Sequence, residues 1–135
     1  MALSTTPTGP VHTSTQAARA TNISWGSAGL VCKSTLTVTG STIAIQGLVL
    51  VDQGAASADY AIGYLVDGKC PSGWACSTTC TSNTFIYTNG ANSKTMMAFN
   101  WRETAASGSH SVCIWACDAA GTDPGGALEF WLEAN

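Results

Sequence analysis

From Ile23 onward, hydrophobic and polar residues alternate with a period of two, the mark of strands that bury one face. Leu36 and Val38 alternate with Thr35, Thr37 and Thr39, and Ile43 and Ile45 then alternate with Thr42, Ala44 and Gln46. These runs predict two half-buried strands meeting at a turn at Gly40. Gly47 interrupts the second run, and Leu48-Val49-Leu50-Val51 follows without alternation. That predicts a bulge and then a strand covered on both faces, one cover coming from outside the domain's own core.

Tyr60, Ile62, Tyr64 and Val66 share a face of the next strand, which ends at the turn pair Asp67-Gly68. Phe85-Ile86-Tyr87 predicts a short strand leading into Asn89-Gly90, a strong hairpin dipeptide. The return strand, Lys94 to about Arg102, places Thr95, Met97, Phe99 and Trp101 on one side. His110 to Cys117 and Ala127 to Ala134 complete the set. In the last strand Leu128, Phe130 and Leu132 point inward and Glu129, Trp131 and Glu133 outward. Seven or eight strands between Gly-, Ser- and Asn-rich turns, with no amphipathic helical stretch, predict an all-β fold: an antiparallel β-sandwich, jelly-roll-like.

Residues 1–22 break this pattern. They are rich in Thr, Ser, Pro and Ala with almost no large apolar side chain, and bury too little to offset their ordering entropy. They are read as an extended N-terminal arm, with the β-sandwich domain spanning 23–135. Fully extended, such an arm reaches about 70 Å at about 3.3 Å per residue. If it is ordered, a partner surface is expected to order it; the alternative reading is a frayed terminus.

Composition narrows the function. Charged residues make up 10% of the 135 and hydrophobic ones 45%, so the chain is not disordered as a whole. The five basic residues are scattered and the net charge is −3, which argues against nucleic-acid binding. No apolar run approaches the roughly 18 residues of a membrane helix, and the N-terminus lacks the pattern of a signal peptide. No membrane partner is expected.

Six cysteines in so small a chain point to disulfides and an oxidising destination, against the missing secretory signal. Three readings reconcile the two: a leader already removed, metal ligation in a cytosol, or a protein made in the cytosol that works outside it, as virion proteins do. The spacing of Cys70, Cys76 and Cys80 lacks the two-residue knuckles of zinc sites, so no metal is assigned. Cys32, Cys70, Cys76, Cys80, Cys113 and Cys117 are disulfide candidates. Cys113 and Cys117 lie about 13 Å apart on one strand and do not pair with each other. Cys70, Cys76 and Cys80 are three in one loop, so at least one of them pairs elsewhere, stays free or reaches another subunit.

Catalysis finds little material. Eight carboxylates and two histidines, His12 and His110, are spread along the chain, and Asp52, Asp59, Asp67, Asp118 and Asp123 fall at strand ends or turns, where Asp caps bends. Asp118 and Asp123 lack the dense oxygen alternation of a calcium loop. Neither a nucleophile elbow nor a phosphate loop is present. No enzyme activity and no cofactor are expected. Trp131, between two glutamates on an outward face, reads as a subunit contact more readily than as a sugar platform.

Three segments carry a family resemblance: Phe99-Asn100-Trp101-Arg102-Glu103-Thr104, Ala106-Ser107-Gly108-Ser109-His110-Ser111-Val112, and Gly126-Ala127-Leu128-Glu129-Phe130-Trp131-Leu132. Together they resemble a β-sandwich module of tailed-phage structural proteins, over roughly Asp67 to Asn135, although the usual module lacks the cysteines. The resemblance implies a head-decoration or fibre protein, commonly trimeric. The expectation is a capsid decoration (cement) protein, a homotrimer on the outer capsid surface of the virion, synthesised in the host cytoplasm and bound to the major capsid protein. Thr5, Pro7, Val11 and Thr13 of the arm, with Val49, Val51 and Trp131, are the interface candidates. The competing expectations are a carbohydrate-binding or adhesin module and a phage tail or fibre component.

Overall fold

Among the described residues the alternating runs become six strands: β1 (Ser14–Ser24), β2 (Cys32–Asp52), β3 (Ala58–Val66), β4 (Ile86–Asn89), β5 (Lys94–Asp118) and β6 (Gly125–Ala134). The structure, a computed structural model, describes residues 14–25, 31–53, 58–74, 86–89, 91–118 and 125–135. The strands are hydrogen-bonded, all antiparallel, in the order β1-β6-β2-β5-β3-β4.

Two of these strands are too long for one layer, and the ladder folds where they bend. In β2 and β5 the register runs to Gly40↔Gly108 and resumes at Thr42↔Thr104, so residues 105–107 of β5 face Ser41 alone. A bulge of this kind bends a strand and reverses which parity faces inward. Leu36 and Val38 face inward before the bend and Ile43 and Ile45 after it; on β5 the inward set changes from Met97 and Phe99 to Val112 and Ile114. Each long strand thus serves two layers. Sheet 1 holds β1, β6, the second half of β2 and the first half of β5. Sheet 2 holds the first half of β2, the second half of β5, β3 and β4.

With the halves counted separately, the described residues form eight strands, paired first with eighth, second with seventh, third with sixth and fourth with fifth. That is one long antiparallel hairpin rolled up, the wiring of a jelly roll. Ladders from β6 to β2 and from β3 to β5 complete the two sheets. The all-β sandwich expected from the sequence is therefore the fold observed.

A single apolar core lies between the sheets, built from Ile43, Ile45, Val49, Val51, Leu128, Phe130 and Leu132 of sheet 1 and Val38, Tyr60, Ile62, Val112 and Ile114 of sheet 2. Trp25 packs on Tyr60 at one end, ring centroids 5.2 Å apart. At the other end Tyr64 of sheet 2 meets Trp101 of sheet 1 and Trp74, each at 5.1 Å. Trp115 is buried on the opposite face of sheet 2, in a small second cluster with Ala61 and Cys117.

Four local expectations change. Gly40 is a bend in a continuous strand, because both long strands pass between layers there. Gly47 forms no bulge: it pairs regularly with Phe99 and Phe130, and a Cβ there would collide with the Phe99 ring and Phe130. The glycine makes room for two aromatic side chains. Leu48 to Val51 alternate after all, Val49 and Val51 inward and Leu48 and Leu50 outward, so the segment is covered on one face. Finally, β4 pairs with β3 rather than forming a hairpin with β5, since the chain after Asn89 crosses to the other sheet.

Asp67-Gly68 behaves as read. Both residues have positive φ (51° and 72°) and Val66 and Lys69 exchange backbone hydrogen bonds of 3.0 and 2.9 Å, a two-residue hairpin turn of the type that matches strand twist.

Residues 14–22, assigned to the arm, form most of β1 and pair along β6 of their own chain. Ala18 and Ala20 pack against the core, but their small side chains leave almost no hydrophobic period to read. The edge of the chain's own sheet orders this stretch. Residues 1–13 lie outside the described residues.

Candidate functional site

Two places on this frame gather side chains with something to do. The first is the outer face of sheet 1. The registers align its outward residues in rows across the strands: Ala17, Trp131, Gln46 and Asn100; then Arg19, Glu129, Leu48 and Ala98; then Thr21, Ala127, Leu50 and Met96. Leu48 is 38% exposed and Met96 64%. With Leu50 they form an apolar strip flanked by two ion pairs, Arg19 to Glu129 at 3.8 Å and Lys94 to Asp52 at 2.8 Å. Exposed pairs of this kind add little stability, so their part is to rim the strip with charge.

Trp131 stands half-buried in the neighbouring row, and its Nε1 donates to Gln46 Oε1 at 3.0 Å. That bond holds the indole against the face. The interface candidates separate accordingly. Trp131 lies half-buried on the outer face, whereas Val49 and Val51 are 1% and 0% exposed and belong to the core. The alternation that buries them turns Leu48 and Leu50 outward instead. Thr5, Pro7, Val11 and Thr13 lie outside the described residues. Leu48, Leu50 and Met96 escaped the sequence reading because their adjacency depends on the β2–β5 register, which joins residues nearly fifty positions apart.

The second place is a cleft of about 320 Å³ beside the bend, lined by Asp67, Lys69, Glu103, Ala106 and His110 among others. His110 Nδ1 lies 2.7 Å from Asp67 Oδ2 and Nε2 lies 2.6 Å from the Ala106 carbonyl oxygen. The other Asp67 oxygen accepts the Ser111 amide at 2.9 Å, and the Asp67 amide donates to the Ser111 carbonyl at 2.8 Å. Hydrogen bonding to Asp67, then to Ala106, raises the His110 pKa above its ordinary value. The same bond from His110, then the Ser111 amide, lowers that of Asp67. Tyr64 donates to Glu103 Oε2 at 2.9 Å, and burial together with that carboxylate pushes its hydroxyl pKa up. Both nitrogens of His110 face acceptors, which leaves neither to take a proton from a substrate. Asp67 was read as a turn residue and His110 as a strand start; the topology brings the two together.

The cysteines resolve in part. Cys32 and Cys113 are disulfide-bonded to each other across the β2–β5 ladder, with Cα atoms 5.7 Å apart, and Cys70 and Cys117 each take part in a disulfide. These four are therefore bridged rather than held as metal ligands. Cys76 and Cys80 lie outside the described residues. Among the described residues, no group of three or more His, Cys, Asp or Glu side chains is arranged to hold a metal ion. Nor is any helix there long and apolar enough to cross a membrane.

No family model matches the chain. No curated protein matches it either. Among solved structures it is similar to that of the infectious bursal disease virus Gx strain, at 10% identity and a TM-score of 0.47 over 99% of this chain. It is also similar to the VP2 subviral particle of infectious bursal disease virus, at 10% identity and a TM-score of 0.43. The chain spans 37% of the length of each of these structures.

Proposed function

We propose that the protein is a viral structural protein, a decoration (cement) protein of a tailed-phage head that binds through the outer face of sheet 1 across neighbouring capsid subunits. The observation that carries this reading is the exposed strip of Leu48, Leu50 and Met96 with its rim of paired charges, since an apolar centre inside a polar rim is the anatomy of a protein contact. Jelly rolls serve as shell, lectin and cupin domains, so the site rather than the fold must choose among them. Among the described residues, Trp25, Tyr60, Phe130 and the aliphatic core pack the space between the sheets. Function on this reading is exercised at the surface.

The mechanism is mechanical. A copy that buries surface from several capsid subunits makes rupture of the shell depend on breaking all those contacts together. The segment before Ser14 leads into β1, an edge strand of the same sheet, and extended segments join a neighbour's sheet through main-chain hydrogen bonds without demands on side chains. Three copies at a three-fold position would have a mass of about 41 kDa. The test is co-sedimentation of the purified protein with undecorated phage heads. Wild type is expected in the pellet, and Leu48→Glu with Met96→Glu in the supernatant. Wild type left in the supernatant would overturn the reading.

One observation favours a second reading, a carbohydrate-binding module. Trp131 shares its row with Gln46 and Asn100, and Arg102 lies in the next, an aromatic face beside amide and guanidinium groups. On that reading Trp131→Ala loses glycan binding and keeps any attachment to heads.

A further inference from the structure

The bend is the most consequential point of the fold, because the same few residues send both long strands from one sheet to the other. His110 sits on it. Its ring reaches the Asp67 carboxylate on the turn after β3 through one nitrogen and the Ala106 carbonyl in the bulge of β5 through the other. The Gly40 carbonyl, at the bend of β2, lies near enough to favour the charged form of the ring. The end of β6 is tied to the same place, where the Ser41 amide donates to the Asn135 carbonyl oxygen at 2.8 Å.

A neutral imidazole has one N–H, and its other nitrogen carries a lone pair. With an acceptor within 2.7 Å of each nitrogen, the neutral ring would set a lone pair against a carboxylate or carbonyl oxygen. Only the imidazolium satisfies both. We propose that His110 is a charge-operated pin: as the imidazolium it fastens the turn after β3 to the bend of β5, and loss of its proton releases that corner of the jelly roll.

The surrounding groups agree with this. From the turn come Asp67, paired with the ring, and Lys69 on the rim of the cleft; from β5 comes Glu103, whose carboxylate accepts from Tyr64; from β2 comes the Gly40 carbonyl alone. The ring is 10% exposed, so water replaces the lost bonds poorly. Because the folded pKa of His110 is raised, its contribution is full below the ordinary histidine value of about 6.5 and is lost as pH climbs through the raised value. Asp67 has the opposite sign: its contribution is present above about 3.9 and is lost as pH falls through the lowered value. The corner is strongest between those two limits.

The test is an NMR titration of the His110 ring, assigned with His110→Gln, alongside melting temperatures over about pH 5 to 9. The ring is expected to keep its proton beyond the free-histidine range, and the backbone signals of Gly40 and Gly108 to shift in step with its loss. Wild type should then lose melting temperature on the alkaline side, with no matching step in His110→Gln. Asp67→Asn, which keeps an acceptor for the Ser111 amide, should move both midpoints to lower pH. Should His110→Gln fail to fold, the wild-type titration and Asp67→Asn still decide. A ring that titrates at or below about 6.5, or an alkaline loss of the same size in His110→Gln, would overturn the proposal.

Discussion

At the scale of single residues, the positions that matter most are those where a side chain is absent or doubly committed. Gly47 is one, since the Phe99 ring and Phe130 occupy the space a Cβ would need. Gly47→Ala is expected to lower stability by about 1–3 kcal/mol, the usual cost of overpacking, measured by urea denaturation. From sequence alone a strand glycine suggests a bulge or a close approach, and only the cross-strand register tells which. His110 and Asp67 show the same limit. Each residue type was visible, and the 2.7 Å contact between them was not, because it joins positions far apart along the chain.

Among the elements, period-two patterns carried most of the information. The inward faces of β3, the first part of β5 and β6 follow directly from Tyr60-Ile62-Tyr64, Met97-Phe99 and Leu128-Phe130-Leu132. Two elements were poorly legible. β1 packs with alanines, whose burial gives too weak a signal to distinguish a strand from an unpaired arm. In the second half of β2 four aliphatic residues in succession hide an alternation that only the layer beneath reveals. That alternation separates stability from binding. Val49→Ala is expected to cost about 2 kcal/mol, because it empties space in the core. Leu48→Ala should change stability by less than about 0.5 kcal/mol yet weaken any contact made by the outer face. Equal losses in the two variants' chemical melts would contradict the observed register.

For the molecule as a whole, the rolled hairpin explains why so few elements make a complete sandwich. β2 and β5 each serve both sheets, and the Cys32–Cys113 bridge ties them 81 positions apart in sequence. A cross-link closing so long a loop restricts the unfolded chain strongly. The sandwich class was readable from strand count and spacing. Its wiring was not, because the bends that split two strands between layers look like ordinary turns in the sequence. The same wiring turns one broad face of sheet 1 outward, with the Leu48, Leu50 and Met96 strip at its centre, and on the proposed reading that face meets the shell. The most direct measurement is an electron cryomicroscopy difference map between phage heads incubated with the protein and bare heads. The account predicts added density over junctions between capsid subunits, with the outer face of sheet 1 against the shell. Unchanged heads, or density attached through another face, would contradict it.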